Sequence, residues 1–264
     1  MSESVIETAA GDALSVTRNG LVVRVVLNRP QSRNALTFPM YQALAELCEE
    51  PPEGCRAMVI QGAGVKAFAA GTDIHQFRDF HRPEDFLAYE QEIDRVLDAV
   101  ETCRVPTIAA ISGACTGGGA MIATVCDLRI ADTSMRFGIP IARTLGNTLS
   151  ARSLSRLAAL MGPARTRELI FTSRLIEAEE AARVGIVSEV LDNHELLTMR
   201  AQALAELVAE QAPLTLYATK TLQHRLLKGS AEDEDMLLLC YQSADFRLGM
   251  EAFLAKRKPA WSGA

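Results

Sequence analysis

The chain has 264 residues, 48% of them hydrophobic, with 33 acidic against 27 basic side chains and a formal net charge of -6. That length and apolar content suit one large domain, or one domain with an appendage, around a substantial core. An acidic balance with lysine and arginine dispersed rather than clustered argues against nucleic acid as a main partner.

The N-terminus "MSESVIETAAGD" carries acids and lacks the basic and apolar regions of a secretory signal, so a cytoplasmic protein is expected. "ALSVTRNGLVVRVVLNRP" holds two strand-like runs around Asn19-Gly20, which predicts an antiparallel hairpin. A helix follows from Thr37, with Thr37 as cap, Pro39 in the first turn and Met40, Leu44 and Leu47 at helical spacing up to Pro51-Pro52. Next come the strand "AMVIQG" and the glycine-bearing loop "GAGVKAFAAGTDI". Pro83 to Thr102 reads as an amphipathic helix with Phe86, Tyr89, Ile93, Val96, Leu97 and Val100 on one face.

Val105 to Cys126 has no charged residue and approaches membrane-spanning length. Pro106 and the glycines in its middle favour a buried strand, "TIAAIS", then a glycine turn and a short helix ending near Cys126. The strand "LRIA" follows, and after "GIVSEVLD" the chain reads as helices separated by Pro213 and Gly229. Alternating strands and helices over roughly the first 190 residues predict crossover units rather than a sandwich. Cys48, Cys55, Cys103, Cys115, Cys126 and Cys240 form no C-x-x-C pair, and several lie in apolar runs. They read as reduced core thiols, with no metal site.

Two loops invite chemistry. In "ACTGGGAM" a strand runs into Gly117, Gly118 and Gly119 at the start of a helix, where free backbone N–H groups favour negative charge. Neither G-x-G-x-x-G nor a P-loop is met. Two readings stay open: the glycines allow close helix–strand packing, or they present a donor to a developing oxyanion. "KAFAAGTDI" is a second small-residue turn after a strand, and it could supply a second donor.

The pieces "NRPQSRNALT", "KAFAAGTDI", "VPTIAAISGACTGGGAMIATVCDLRIAD", "FGIP", "ELIFTSRLIEAEEAARVGIVSEVL" and "GMEAFLAKRKPAW" resemble, in order and spacing, the crotonase (enoyl-CoA hydratase/isomerase) superfamily. The resemblance covers essentially the whole chain. It implies an α/β fold with a ββα spiral core over residues 1–195, in two roughly perpendicular sheets. Residues 196–264 would form a helical trimerisation and CoA-covering module, in trimers or paired trimers. It implies an acyl-CoA substrate, with coenzyme A as part of it and no other cofactor, its thioester carbonyl polarised by the N–H groups of Thr72 and Gly118. Arg33, Ala35, Ala70, Asp73 and Ile74 would line the CoA, Lys66 is a candidate phosphate contact, and Phe253 and Lys256 match positions that reach a neighbouring subunit's CoA. For Arg33 and Lys66 a solvated surface role is an equal alternative.

The pattern breaks where hydratases of this family carry two glutamates, because those positions hold Met121 and Ile141. A positioned acid or base contributes roughly 10²- to 10⁴-fold, so their loss leaves polarisation without proton transfer. Arg143 could hold a substrate carboxylate or form a structural ion pair. Asn147 could position a carbonyl or serve the turn after Gly146. His75, His81, Tyr89 and Glu90 are further candidates near the acyl group, and Asp127 matches a structural position. The leading expectation is an enoyl-CoA hydratase/isomerase-type acyl-CoA enzyme, a lyase or isomerase of fatty acid metabolism, with hydration itself in doubt. The alternatives are decarboxylation of a malonyl-type CoA and a non-catalytic acyl-CoA-binding homologue.

Overall fold

A computed structural model describes residues 4–264. The hairpin forms as expected: β2 (Leu14–Asn19) and β3 (Val22–Leu27) pair antiparallel around Gly20, whose φ of +61° suits a residue without a side chain. A short β1 (Ser4–Ile6), too brief to leave a periodic signal, adds to β2. In α1 (Phe38–Glu49) the Thr37 side chain accepts from the Met40 N–H and Pro39 stands in the first turn. Beyond it run β4 (Ala57–Gly62), β5 (Ala67–Ala69) and α2 (Pro83–Thr102), the last with the bounds its apolar spacing predicts. Phe86 departs from the expected buried face: it is 47% exposed, one turn from the helix start, with its ring edge-on to Phe80 at 5.5 Å.

The chain then repeats a unit. Strands β6 (Thr107–Ile111) and β7 (Ala114–Thr116) lead to α3 (Gly118–Val125). Strands β8 (Leu128–Asp132) and β9 (Arg136–Gly138) lead to α4 (Ile141–Thr144). Helices α5 (Ala151–Met161) and α6 (Pro163–Thr172), β10 (Ile176–Glu177), α7 (Ala178–Arg183) and β11 (Glu189–Leu191) close the spiral. Four helices end the chain: α8 (His194–Ala209), α9 (Pro213–Leu227), α10 (Glu234–Tyr241) and α11 (Ala244–Leu254).

In each unit the first strand joins a seven-stranded sheet, ordered β1-β2-β3-β4-β6-β8-β11, and the second joins a four-stranded sheet, ordered β10-β9-β7-β5. From β3 to β11 the large sheet is parallel. Parallel strands covered on both faces read as unbroken apolar runs, which explains "TIAAI" and the uncharged stretch around it. Ala109 and Ile111 face the main core, while Ile108 and Ala110 face a second apolar layer with Val59 and Ile130. That second layer is closed by Leu197, Ala201, Leu204 and Ala205 of α8, which packs on β3, β4, β6, β8 and β11. A division at residues 195/196 therefore falls inside α8, which packs on the large sheet. Among the described residues no helix is long and apolar enough to cross a membrane. All six cysteines are free thiols, five of them buried.

Candidate active site

The two glycine turns meet. The bridge between Leu36 and Thr72 lays residues 33–37 beside 70–74, with the Ala70 N–H on the Arg33 carbonyl, the Leu36 N–H on Gly71 and the Asp73 N–H on Leu36. Asn34, buried in a left-handed conformation (φ +56°), fixes this strip: its amide donates to the Ala63 and Ala67 carbonyls and accepts from the Arg29 N–H. Asparagine is one of the few residues that tolerates that backbone, a signal in "NRPQSRNALT" that sequence reasoning passed over.

Each glycine of "TGGG" has its own reason. Gly117 sits at φ +53°, ψ -124°, and a Cβ there would lie 3.4 Å from the Gly71 Cα. At Gly119 a Cβ would meet the Ala69 carbonyl oxygen at 2.3 Å, so this residue permits the close packing of α3 on β5. At Gly118 it would stand 2.0 Å from the Tyr41 hydroxyl and 3.2 Å from Thr72 Oγ1. Both open readings of the glycines thus have residues to support them. Among the described residues neither the Thr72 nor the Gly118 N–H is given to a backbone carbonyl.

Behind these amides lies a chain of hydroxyls. Thr72 Oγ1 is 2.9 Å from the Tyr41 hydroxyl and 2.9 Å from that of Tyr89. Burial pushes the Tyr89 phenol up to about 12, and burial with the neighbouring Tyr89 and Glu90 pushes Tyr41 further still, so both are neutral hydroxyls near pH 7. Tyr41 had no sequence signal, because it reads as one more apolar position of α1. The Tyr89 ring belongs to an aromatic cluster with Phe38, Phe77 and Phe80, and it lies 4.7 Å from Phe77.

A cavity of about 840 Å³ opens beside this cluster, between α2, the Ile74–Phe77 turn and the 145–150 loop. Its walls are chiefly apolar, with Ile74, Phe77, Leu87, Tyr89 and Leu149, and they also carry Glu90 and Asn147. Burial first, and the Asp94 carboxylate second, hold the Glu90 carboxyl above the ordinary glutamate range. His75, His81 and Arg143 do not line the cavity. His75 is exposed, and its N–H caps onto Asp73. Arg143 is exposed on α4 and, among the described residues, has no carboxylate partner, so the structural ion pair that sequence reasoning allowed for it is not formed. Met121 and Ile141 are buried in the main core.

Arg33, Ala35, Ala70, Asp73 and Ile74 share one edge, as their adjoining segments require. Asp73 is held by Arg29 at 3.0 Å; burial opposes its ionised form, but the His75 N–H and Arg29 prevail and keep the carboxyl below its usual range. Lys66 is exposed before β5. Phe253, 84% exposed, and Lys256, at φ +51°, lie in and after α11, away from that edge within one chain.

Asp127 accepts from Thr107 and from Lys220 at 2.7 Å, tying α9 to the sheet in a structural role. Asp98, Glu101 and His224 approach within 4.8 Å of one another. The buried Arg156 guanidinium already donates to both of these carboxylates and to Asp94, which makes the cluster an ion-pair network rather than a metal cradle.

A ββα spiral with two abutting glycine turns at the ends of small-sheet strands, linked through Thr72 and Tyr89 to an apolar cavity, defines a crotonase-type fold. The family model described as enoyl-CoA hydratase/isomerase matches residues 17–264. The chain is 33% identical over 253 residues to the short-chain-enoyl-CoA hydratase of Clostridium acetobutylicum, covering 91% of this chain and 94% of that protein. It is 32% identical to the crotonyl-CoA hydratase of Syntrophomonas wolfei, over 88% of this chain and 91% of that one. The crystal structure of an enoyl-CoA hydratase/carnithine racemase from Magnetospirillum magneticum superposes with a TM-score of 0.88 at 34% identity, covering 96% of both chains. The protein belongs to the enoyl-CoA hydratase/isomerase family of the crotonase superfamily.

Proposed function

We propose that the protein is an acyl-CoA enzyme that stabilises a thioester enolate between the N–H groups of Thr72 and Gly118. The observation that carries this reading is the pair of amides on abutting turns, given to no backbone carbonyl among the described residues, with Thr72 joined through Tyr89 to the wall of an apolar cavity. Backbone donors fixed in this way need no metal, and losing one of them typically costs about 3 to 4 kcal/mol of barrier. The CoA would run along Arg33, Ala35, Ala70, Asp73 and Ile74, with Lys66 near its phosphates and Phe253 and Lys256 supplied by a neighbouring subunit. Exposed Leu237, Leu238, Tyr241, Phe246, Met250 and Leu254 on α10 and α11 support self-association into trimers or hexamers.

Hydration is disfavoured, because Met121 and Ile141 offer no proton donor or acceptor at the two positions where the family resemblance implies glutamates. The test is crotonyl-CoA hydration beside calorimetric binding of a saturated acyl-CoA: binding with a hydration rate equal to buffer is expected, and absent binding overturns the reading. Arg143 keeps a second reading open, since among the described residues its guanidinium has no carboxylate partner and the residue stands two positions before Leu145 of the cavity wall. It could orient the carboxylate of a malonyl-type CoA for decarboxylation. Unchanged turnover of such substrates by Arg143→Ala would remove that version.

A further inference from the structure

We infer that Glu90 is the group that moves protons at this site, taking the α-hydrogen of the bound thioester. This inference rests on the acyl-CoA reading above and supplies the base which that reading lacks. Glu90 is the only ionisable carboxyl among the residues lining the 840 Å³ cavity. It is half-buried and, among the described residues, accepts no hydrogen bond and joins no ion pair. That sets it apart from the other carboxyls that are not exposed, among them Asp73, Asp94, Asp98, Glu101, Asp127, Asp132 and Asp245, which are all held by cations or donors. Its neighbours on the cavity wall, Asn147 and Thr148, are uncharged, and Asp94, one turn along α2, is engaged by Ser150 and Arg156.

Placement relative to the amide pair supports the role. Glu90 follows Tyr89 on α2, and the Tyr89 hydroxyl is bonded to the Thr72 side chain, so the helix that carries the carboxyl is tied to the turn that presents one of the two donors. Its charge is felt at the hydroxyls of both Tyr89 and Tyr41. Partial desolvation makes the carboxylate a stronger base than a solvated one, which suits removal of a weakly acidic C–H.

The step balances without a co-reactant. The Cα–H bond breaks, its proton forms an O–H bond on Glu90, and the electron pair becomes the C=C bond of the enolate as the thioester C=O becomes C–O⁻ against Thr72 and Gly118. Return of a proton from Glu90 to the same carbon regenerates the thioester. With an unsaturated acyl group, return to the γ-carbon would shift the double bond. One carboxyl serves both outcomes, whereas adding water needs a second positioned group.

The experiment is deuterium wash-in at the α-carbon of phenylacetyl-CoA in D2O, read by mass spectrometry, with binding of the same thioester measured by calorimetry. Wild type is expected to exchange faster than buffer. Glu90→Gln is expected to bind within about twofold of wild type and lose roughly 10²-fold or more of the exchange. Glu90→Asp keeps part of the exchange, and thermal melting checks that both variants fold. Exchange by wild type at the buffer rate despite binding, or exchange unchanged in Glu90→Gln, overturns the assignment of Glu90. Absence of binding by wild type overturns instead the acyl-CoA reading on which it rests.

Discussion

Adding a single methyl group at Gly118 tests how the site is built. Its Cβ would stand 2.0 Å from the Tyr41 hydroxyl, which is the rigid end of a fully buried ring, with Tyr41 Cζ at 3.3 Å and Thr72 Oγ1 at 3.2 Å. A forced contact of this kind in a packed core costs about 1 to 3 kcal/mol. Tyr41→Phe alone removes the bond to Thr72 and should cost about 1 kcal/mol. In the double variant the atom at 2.0 Å is gone, and the remaining neighbours beyond 3 Å can yield by a few tenths of an ångström. Gly118→Ala and Tyr41→Phe should therefore be strongly non-additive, with the double variant no less stable than Gly118→Ala and a coupling of about 1 to 2 kcal/mol. Urea unfolding of the four proteins measures this cycle. Additive losses within about 0.5 kcal/mol would refute the claimed contact between α1 and the turn at residues 117–119.

Three further outcomes follow from the geometry. Asp245 accepts from the Ser262 N–H and Oγ and from the Gly263 N–H, while Arg56 donates to the Trp261 carbonyl; burial opposes the Asp245 charge, but these donors hold its carboxyl below the usual range. Its contribution to docking the C-terminal tail is present above the ordinary aspartate pKa of about 3.9 and is lost as pH falls through the depressed value. Emission from Trp261, the only tryptophan, should shift to the red in acid, and Asp245→Asn should show that shift at pH 7; an unchanged spectrum in Asp245→Asn contradicts the docking. Arg156→Met leaves Asp94, Asp98 and Glu101 without the cation they share and should lower stability by about 3 kcal/mol in urea unfolding, a loss under about 1 kcal/mol being the contrary result. Aromatic disulfide reagents should titrate Cys240 quickly in the native protein and the other five thiols only after unfolding; rapid reaction of more than one thiol would contradict the burial.

The long elements were legible because their signals are local. Thr37 and Pro39 mark the start of α1, Asn19-Gly20 marks the hairpin, and the apolar spacing of Ile93, Val96, Leu97 and Val100 sets α2. The small sheet was not, because β5, β7 and β9 have three residues each and alternate over too short a run to register. Nor does the sequence reveal that α8 covers the outer face of the large sheet, since its apolar residues read alike whether they face a sheet or another subunit. At the site, the glycine turns and the occupants of positions 121 and 141 could be read from the residues. Tyr89 was a candidate there too, but its joining to Tyr41 through Thr72 could not be read, because the bonds span 17 and 31 residues of chain.

That separation bears on how the site comes into being. Thr72 belongs to one spiral unit, Gly118 to the next and Tyr41 to the helix before both, while Asn34 ties its own strip to the backbone at Ala63 and Ala67. No excised fragment carrying one turn would contain the amide pair, and a partly folded chain would have none of it. Regain of acyl-CoA binding during refolding should thus lag behind regain of helical signal, making ligand affinity a late reporter of assembly.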